Sequence, residues 1–244
     1  MRLQTPAWLV GGLAVLVSAW GAGGQSSFQN LGFESASLVP IPGDPYGRVQ
    51  FATAFPGWTG LVGGEQQTAA LYNNAFLGTS AISIIDSGWS ITYPNLGGVI
   101  SGNFTAILQA GVLVTPTNYY PADATLSQTA LVPATAESLR FRAYDPSSLS
   151  PGIALRVTLG GQQLSLNALG SGANYTLYGA DIHTLAGQSA ELDFTVPSPG
   201  NGGINYVFLD SIQFSTVAIP EPDVFGLCAL GAMLLGWRFG HKRQ

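Results

Sequence analysis

The chain has 244 residues and a formal net charge of −5; only 9% of its residues are charged, while glycine (32) and proline (15) are plentiful. An average soluble domain carries about 25% charged residues, so this composition fits a β-rich extracellular chain and argues against a helical cytosolic one. Between Ser26 and Ile219 there are four arginines (Arg48, Arg140, Arg142 and Arg156), no lysine and eleven carboxylates, which leaves no basic footprint for nucleic acid or anionic lipid. Aliphatic and aromatic residues recur throughout this body, which disfavours disorder. The single cysteine, Cys228, lies in a C-terminal apolar run. The body therefore forms no disulfide, and its stability must come from a buried core.

Residues 1–24 read as a secretory signal peptide. Arg2 and the amino terminus precede an apolar core from Trp8 to Ala19, and small residues stand at Ala22 and Gly24. That pattern predicts cleavage by signal peptidase just after Gly24. The apolar core is short for a span of about 20 residues, and no cysteine follows it to carry a lipid.

The body, residues 25–217, opens with Phe28-Gln29-Asn30-Leu31-Gly32-Phe33-Glu34. This stretch resembles the Asn-x-Gly-Phe-Glu opening of galactose-binding-like, carbohydrate-binding jelly-roll domains, where it forms a first strand at the sandwich edge. Pro40 to Pro45 must be loop, with three prolines and a Gly-Asp pair. Phe55-Pro56-Gly57-Trp58 is similar to the Pro-x-Trp feature of the same domains, and Gly63-Gly64-Glu65-Gln66-Gln67 reads as a further exposed loop.

Strand signals then become regular. Ala81–Ile85 is a short apolar run, Ser90–Tyr93 a strand or turn, and Phe104–Gln109 and Ala124–Thr129 alternate imperfectly. Ser138–Ala143 alternates well, with Leu139, Phe141 and Ala143 on one face and Arg140 and Arg142 on the other. Ile153–Leu159 and Gln162–Leu166 flank Gly160-Gly161, which predicts a tight hairpin because both glycines can adopt positive φ. Tyr175–Ile182, Ala190–Val196 and Tyr206–Phe214 complete the set. Leu126-Ser127-Gln128-Thr129, Pro133 and Ser138–Phe141 again resemble the strand, proline turn and strand of such exported sandwiches. About ten short strands with turn chemistry between them predict an all-β fold, one antiparallel β-sandwich. The jelly-roll topology is what the resemblance implies.

Residues 218–244 contain Pro220-Glu221-Pro222, an apolar run of 14 residues from Val224 to Trp237, and a basic end with Arg238, Lys242 and Arg243. These three ordered parts resemble the PEP-CTERM sorting signal of Gram-negative envelope proteins. The resemblance implies a transmembrane helix and processing near the triplet by an exosortase, a membrane-embedded transpeptidase. Prolines on both sides of Glu221 favour extended backbone that a peptidase can reach. Cations after the apolar run predict a cytoplasmic C-terminus with the body outside. The implied location is membrane-anchored first, then cell envelope or extracellular, in association with exopolysaccharide or biofilm.

The body offers little for catalysis. It has one histidine, His183, no cysteine and no Gly-x-Ser-x-Gly elbow, so a Cys–His pair, a His-rich zinc site and that serine-hydrolase motif are excluded. Phosphate-binding glycine loops are missing as well. Eleven carboxylates leave an acid-dependent glycosidase or polysaccharide lyase as an alternative, but no spacing singles out a pair. The jelly-roll resemblance implies that Glu34 and an Asp on the last strand, Asp210, lie close, and that oxygen ligands there hold a structural Ca²⁺. Solvated or backbone-bonded carboxylates are the competing reading. Carbohydrate binding needs exposed aromatic rings, and Trp58, Trp89, Tyr93, Tyr119, Tyr120, Tyr175 and Tyr178 are candidates. Most are expected to pack in the sandwich; Tyr119-Tyr120, in the Pro116–Pro121 loop, is the expected exposed platform. The sequence thus predicts an exported, non-catalytic envelope or matrix protein, with a glycan-binding module as the first alternative.

Overall fold

The computed structural model describes residues 26–75, 79–90, 97–114, 118–146, 153–200 and 202–219. The expected signal peptide, the Pro220-Glu221-Pro222 triplet, the apolar run and the basic end lie outside these residues, as does Tyr93. Among the described residues, no helix is long and apolar enough to cross a membrane.

Two sheets carry the described residues. The larger is ordered β1 (Val49–Gln50), β4 (Ala69–Tyr72), β5 (Ala81–Ile85), β6 (Thr105–Val114), β15 (Asn205–Ser215), β9 (Ser138–Tyr144), β13 (Thr176–Asp181) and β12 (Asn167–Ser171). Its ninth strand, β7 (Tyr119–Ala122), pairs with the far end of β6. The smaller sheet is ordered β11 (Gln162–Gln163), β10 (Arg156–Leu159), β14 (Ser189–Val196), β8 (Ala124–Leu131), β2 (Thr59–Val62) and β3 (Glu65–Gln66). Among the described residues, helix is confined to the four residues of α1 (Phe51–Ala54) and a 3₁₀ turn at His183–Leu185. From β8 onward the chain crosses between sheets at every connection except the β10–β11 and β12–β13 pairs.

Alternation explains the core. Leu139, Phe141 and Ala143 on β9 are buried, as are Leu192, Phe194 and Val196 on β14, while the residues between them are half-buried or exposed over most of each strand. Phe141 meets Phe194 edge-on across the sandwich at 5.2 Å, and Trp58 lies 6.3 Å from Phe194. All five residues of β5 are buried, because this strand is covered on both faces. Ile82 and Ile84 join the main core. Ile85 instead joins Ile107 and Phe208 in a second cluster under Trp89, Ile100, Tyr144 and Tyr206.

Three expectations are corrected. The Phe28–Glu34 segment is not an edge strand: after one isolated bridge at Ser27, just before it, the chain turns. Asn30 and Phe33 have φ of 49° and 60°, which extended backbone does not allow; the Asn30 carboxamide accepts the Ser35 N–H across that turn. Gly63-Gly64 is a tight hairpin turn between β2 and β3, with φ of 59° and 86°, and matches Gly160-Gly161 at 59° and 76°. Finally, the sandwich is not wholly antiparallel, since β4 and β5 run parallel through Leu71↔Ser83 and Tyr72↔Ile84.

Candidate functional site

The structure brings Glu34 and Asp210 both beside Gly32: a Cβ built there would lie 3.9 Å from Asp210 Oδ1 and 4.0 Å from Glu34 Cγ. Between them they grip the loop that leads into β6. Glu34 accepts the Asn103 N–H on both oxygens at 2.9 and 3.0 Å, the Asn103 side-chain amide on Oε2 at 2.8 Å and the Phe104 N–H on Oε1 at 3.2 Å. Asp210 Oδ2 accepts from Ser101 N at 3.1 Å and Thr105 Oγ1 at 2.7 Å, while Oδ1 accepts from Ser211 N at 2.5 Å and Ser211 Oγ at 3.3 Å.

An ionised carboxylate offers about four acceptor positions, and on both residues each oxygen already takes two donors. Those donors are N–H and O–H groups, whereas Ca²⁺ needs six to eight oxygen ligands. Among the described residues, no group of three or more His, Cys, Asp or Glu side chains gathers to hold a metal. The donor set therefore does not fit a calcium ion; it fits a loop clasp. Gly102 completes the clasp, because it sits at φ +64° and a side chain there would collide with the Glu34 carboxylate. Asp210 is 1% exposed, and its burial pushes the carboxyl up to about 6, with the surrounding donors pulling back only part of the shift.

A second construction opens to solvent. The parallel strands β4 and β5 are tied at their C-terminal ends, where Asp86 accepts from Tyr72 Oη and Asn73 Nδ2, both at 2.6 Å. At their other ends they are not paired with each other, and the wedge between them is a cleft of about 230 Å³. It is lined by Arg48, Gln67, Thr79, Ser80 and Leu113, with Ala69, Leu71, Ala81 and Ile82 forming the apolar wall. Ser80 is spent internally: its hydroxyl donates to the Ala122 carbonyl at 2.6 Å and accepts the Gly111 N–H at 2.9 Å.

Arg48 is held in place by its own turn. Asp44 Oδ2 accepts from Arg48 Nε at 2.7 Å and Nη2 at 2.5 Å, and Oδ1 takes the backbone N–H groups of Tyr46 and Arg48 at 2.9 and 3.1 Å. The guanidinium also lies 5.6 Å from the centre of the Tyr46 ring, a cation–π distance. The side-chain hydrogen bond from Arg48, with the backbone donors beside it, brings the Asp44 carboxyl down to about 2. This turn is a rigid mount for one neutralised arginine.

The tyrosine pair is placed differently from expectation. Tyr119 and Tyr120 belong to a strand rather than a loop, pairing antiparallel with Val114 and Leu113. Successive strand residues point to opposite faces, so the two rings do not form one platform. Tyr120 is the cross-strand partner of Leu113, which lines the cleft, and a Cβ built on Gly63 would lie 3.0 Å from Leu113 and 3.7 Å from the Tyr120 ring. Tyr119 is 76% exposed, Tyr120 40% and Tyr46 54%.

The other described aromatic candidates pack or bond within the body. Trp58 donates from Nε1 to the Asn30 carbonyl, Trp89 donates to Gly97, Tyr178 stacks on Phe141 and Tyr175 lies under Arg142. His183 sits exposed beside Asp181 at 2.8 Å. Sequence reading missed the residues of the cleft. Its one available signal was a glycine- and proline-rich loop ending in one of only four body arginines.

The chain matches no family model and no curated protein sequence. Among solved structures it is similar to the carbohydrate-binding module TmCBM61, in complex with β-1,4-galactotriose. That likeness has 14% identity and a TM-score of 0.40, and covers 76% of this chain and 94% of that one. A cyclase from Fischerella sp. TAU is similar at 17% identity and a TM-score of 0.41, covering 78% of this chain and 98% of that chain. The enzymatically active domain of bacteriophage CBA120 tailspike protein 4 is similar at 14% identity and a TM-score of 0.32, covering 64% of this chain and 19% of that one. Likeness at this level carries no argument about ligand or activity.

Proposed function

We propose that this chain is an exported, non-catalytic β-sandwich of jelly-roll type that binds a neutral glycan of the envelope or extracellular matrix in the Arg48 cleft. The crossing of the chain between sheets from β8 onward supports the jelly-roll reading. In the same proposal, residues 218–244 are a PEP-CTERM sorting signal processed by an exosortase, after which the body is released or kept in the envelope.

The observation that carries the glycan reading is the mounted arginine lining a cleft with both polar and apolar walls, with the Tyr46 ring beside its guanidinium. Neutral sugars present adjacent hydroxyls to hydrogen-bonding groups and C–H faces to aromatic rings. Arg48, Gln67 and Thr79 supply the first kind of contact; Tyr120 and Tyr46 supply the second. Asp44 compensates the charge of Arg48, so the cleft has no spare cation to select a carboxylated sugar. Its 230 Å³ falls below the ~300 Å³ of drug-sized pockets and leaves room for about one sugar ring.

A glycan array followed by calorimetry on the purified body tests the proposal. Neutral oligosaccharides should bind and uronic-acid polymers should not. Arg48→Ala should weaken binding roughly tenfold, as expected for losing a charge-assisted hydrogen bond. Failure of the unmutated body to bind any neutral glycan would overturn the proposal.

A further inference from the structure

The last described residues form a strap across the larger sheet. β15 ends at Ser215, which pairs with Ser138, and the Ser215 carbonyl accepts the Glu137 N–H at 2.8 Å. Beyond it, the Val217 carbonyl accepts two side-chain donors from β9, Ser138 Oγ at 2.7 Å and Arg140 Nη2 at 3.0 Å. Arg140 Nε reaches the same Ser138 hydroxyl at 3.1 Å, so the two grips brace each other. The Val217 N–H is held by Ser215 Oγ at 3.1 Å, while the Val217 side chain is left 59% exposed. Ile219 then lies against Gly179 of β13, beside Leu169, in space that a Cβ at Gly179 would fill. Gly179 is the cross-strand partner of Arg140, so the strap is tied to two adjacent strands in turn.

The position of these ties gives them meaning. Pro220 follows Ile219 directly, and only residues 220–223 separate the strap from the apolar run that begins at Val224. Four residues span at most about 14 Å. The described contacts fasten the body up to the residue that directly precedes the triplet.

We infer that Ser138 and Arg140 are positioning residues for processing of the tail: by holding the Val217 carbonyl they fix where the chain leaves the fold, directly ahead of the triplet that a membrane-embedded peptidase would process. This rests on reading residues 218–244 as a sorting signal. The reaction breaks one peptide bond near the triplet: the acyl carbon on the body side passes to water or an acceptor amine, and the tail leaves with a free amino group. Neither strap residue touches that bond. Their part is to fix the exit direction of the chain beforehand, so that the peptidase need not order it.

The test is pulse–chase loss of the tail from the full-length protein, expressed in cells that carry an exosortase. Glu221→Ala is the control for the underlying reading and should leave the protein uncut. Ser138→Ala combined with Arg140→Ala should slow processing roughly tenfold, and Arg140→Lys with Ser138 intact should restore part of the rate. Four Gly/Ser residues inserted between Ile219 and Pro220 should slow it similarly while leaving every contact of the body in place. That insertion decides the matter if the double variant fails to fold. Unchanged or faster processing of the insertion variant, with Glu221→Ala still blocked, would overturn the positioning role and leave the sorting reading standing. Normal processing of Glu221→Ala would overturn both.

Discussion

Asp44 and Asp210 each fasten a turn by accepting several donors, yet they stand in opposite electrostatic situations. Asp44 has a guanidinium partner and is brought down to about 2. Asp210 has only neutral N–H and O–H donors, and burial drives it up to about 6. A full set of hydrogen bonds satisfies a buried carboxylate without making its charge cheap; an ion partner at the surface does. The inward clasp therefore holds structure together, while the outward mount presents a neutralised cation to solvent.

The largest effect that would break this comparison is on stability. Asp210→Ala strands buried donors from Ser101, Thr105 and Ser211 at about 1–3 kcal/mol per unsatisfied group. It should cost roughly 3–5 kcal/mol in denaturant unfolding, and Arg48→Ala clearly less. Equal losses would mean that the clasp is not the stronger fastening.

The pH dependence of the two carboxylates should have opposite signs. The folded-state value of Asp210 lies above its ordinary one, so between pH ~4 and ~6 the folded protein binds the extra proton. Its contribution to stability is complete below the ordinary carboxylate value and is lost as pH rises toward about 6. The difference should amount to at most ~2–3 kcal/mol. For Asp44 the folded value is depressed, so its contribution is present above the ordinary value and is lost as pH falls toward about 2. Urea melts of wild type and Asp210→Asn across this range should differ in slope between pH 4 and 6. Parallel curves would remove the buried charge from the account.

How far the sequence made these two turns legible depends on the range of the interactions. Gly160-Gly161 announces its hairpin because flanking alternation and glycine conformational freedom are both local. Gly63-Gly64 forms the same turn but reads as loop, because the all-polar Glu65-Gln66-Gln67 after it shows no alternation, whereas Gln163-Leu164-Ser165-Leu166 does. The resemblance of the opening segment implied an edge strand with Glu34 and Asp210 as calcium ligands, but the positive φ at Asn30 and Phe33 turns that segment out of strand form. What Glu34 and Asp210 hold depends on a loop 69 and 109 residues away, respectively, in contacts that no window of sequence contains. Tyr119 and Tyr120 looked like a loop pair because prolines flank them, whereas β6 runs past Gly111 and supplies the partner that makes them a strand. The cleft was illegible for the same reason: it is a gap between β4 and β5, created by a parallel pairing.

The smallest expected effect is none. Because donors already fill the oxygens of Glu34 and Asp210, adding a chelator should leave the melting temperature of the body unchanged, and adding calcium should not raise it. A rise with calcium would recast the clasp as a metal site and end its contrast with the Asp44 mount.

The central claim, that the Arg48 cleft is the ligand site, is tested most directly by amide chemical-shift mapping of the folded body during titration with a neutral oligosaccharide. The account predicts shifts at Arg48, Gln67, Thr79 and Leu113, quiet signals at Ser101 and Ser211, and loss of the response in Arg48→Ala. Shifts centred elsewhere, or an unaltered response in that variant, would contradict it.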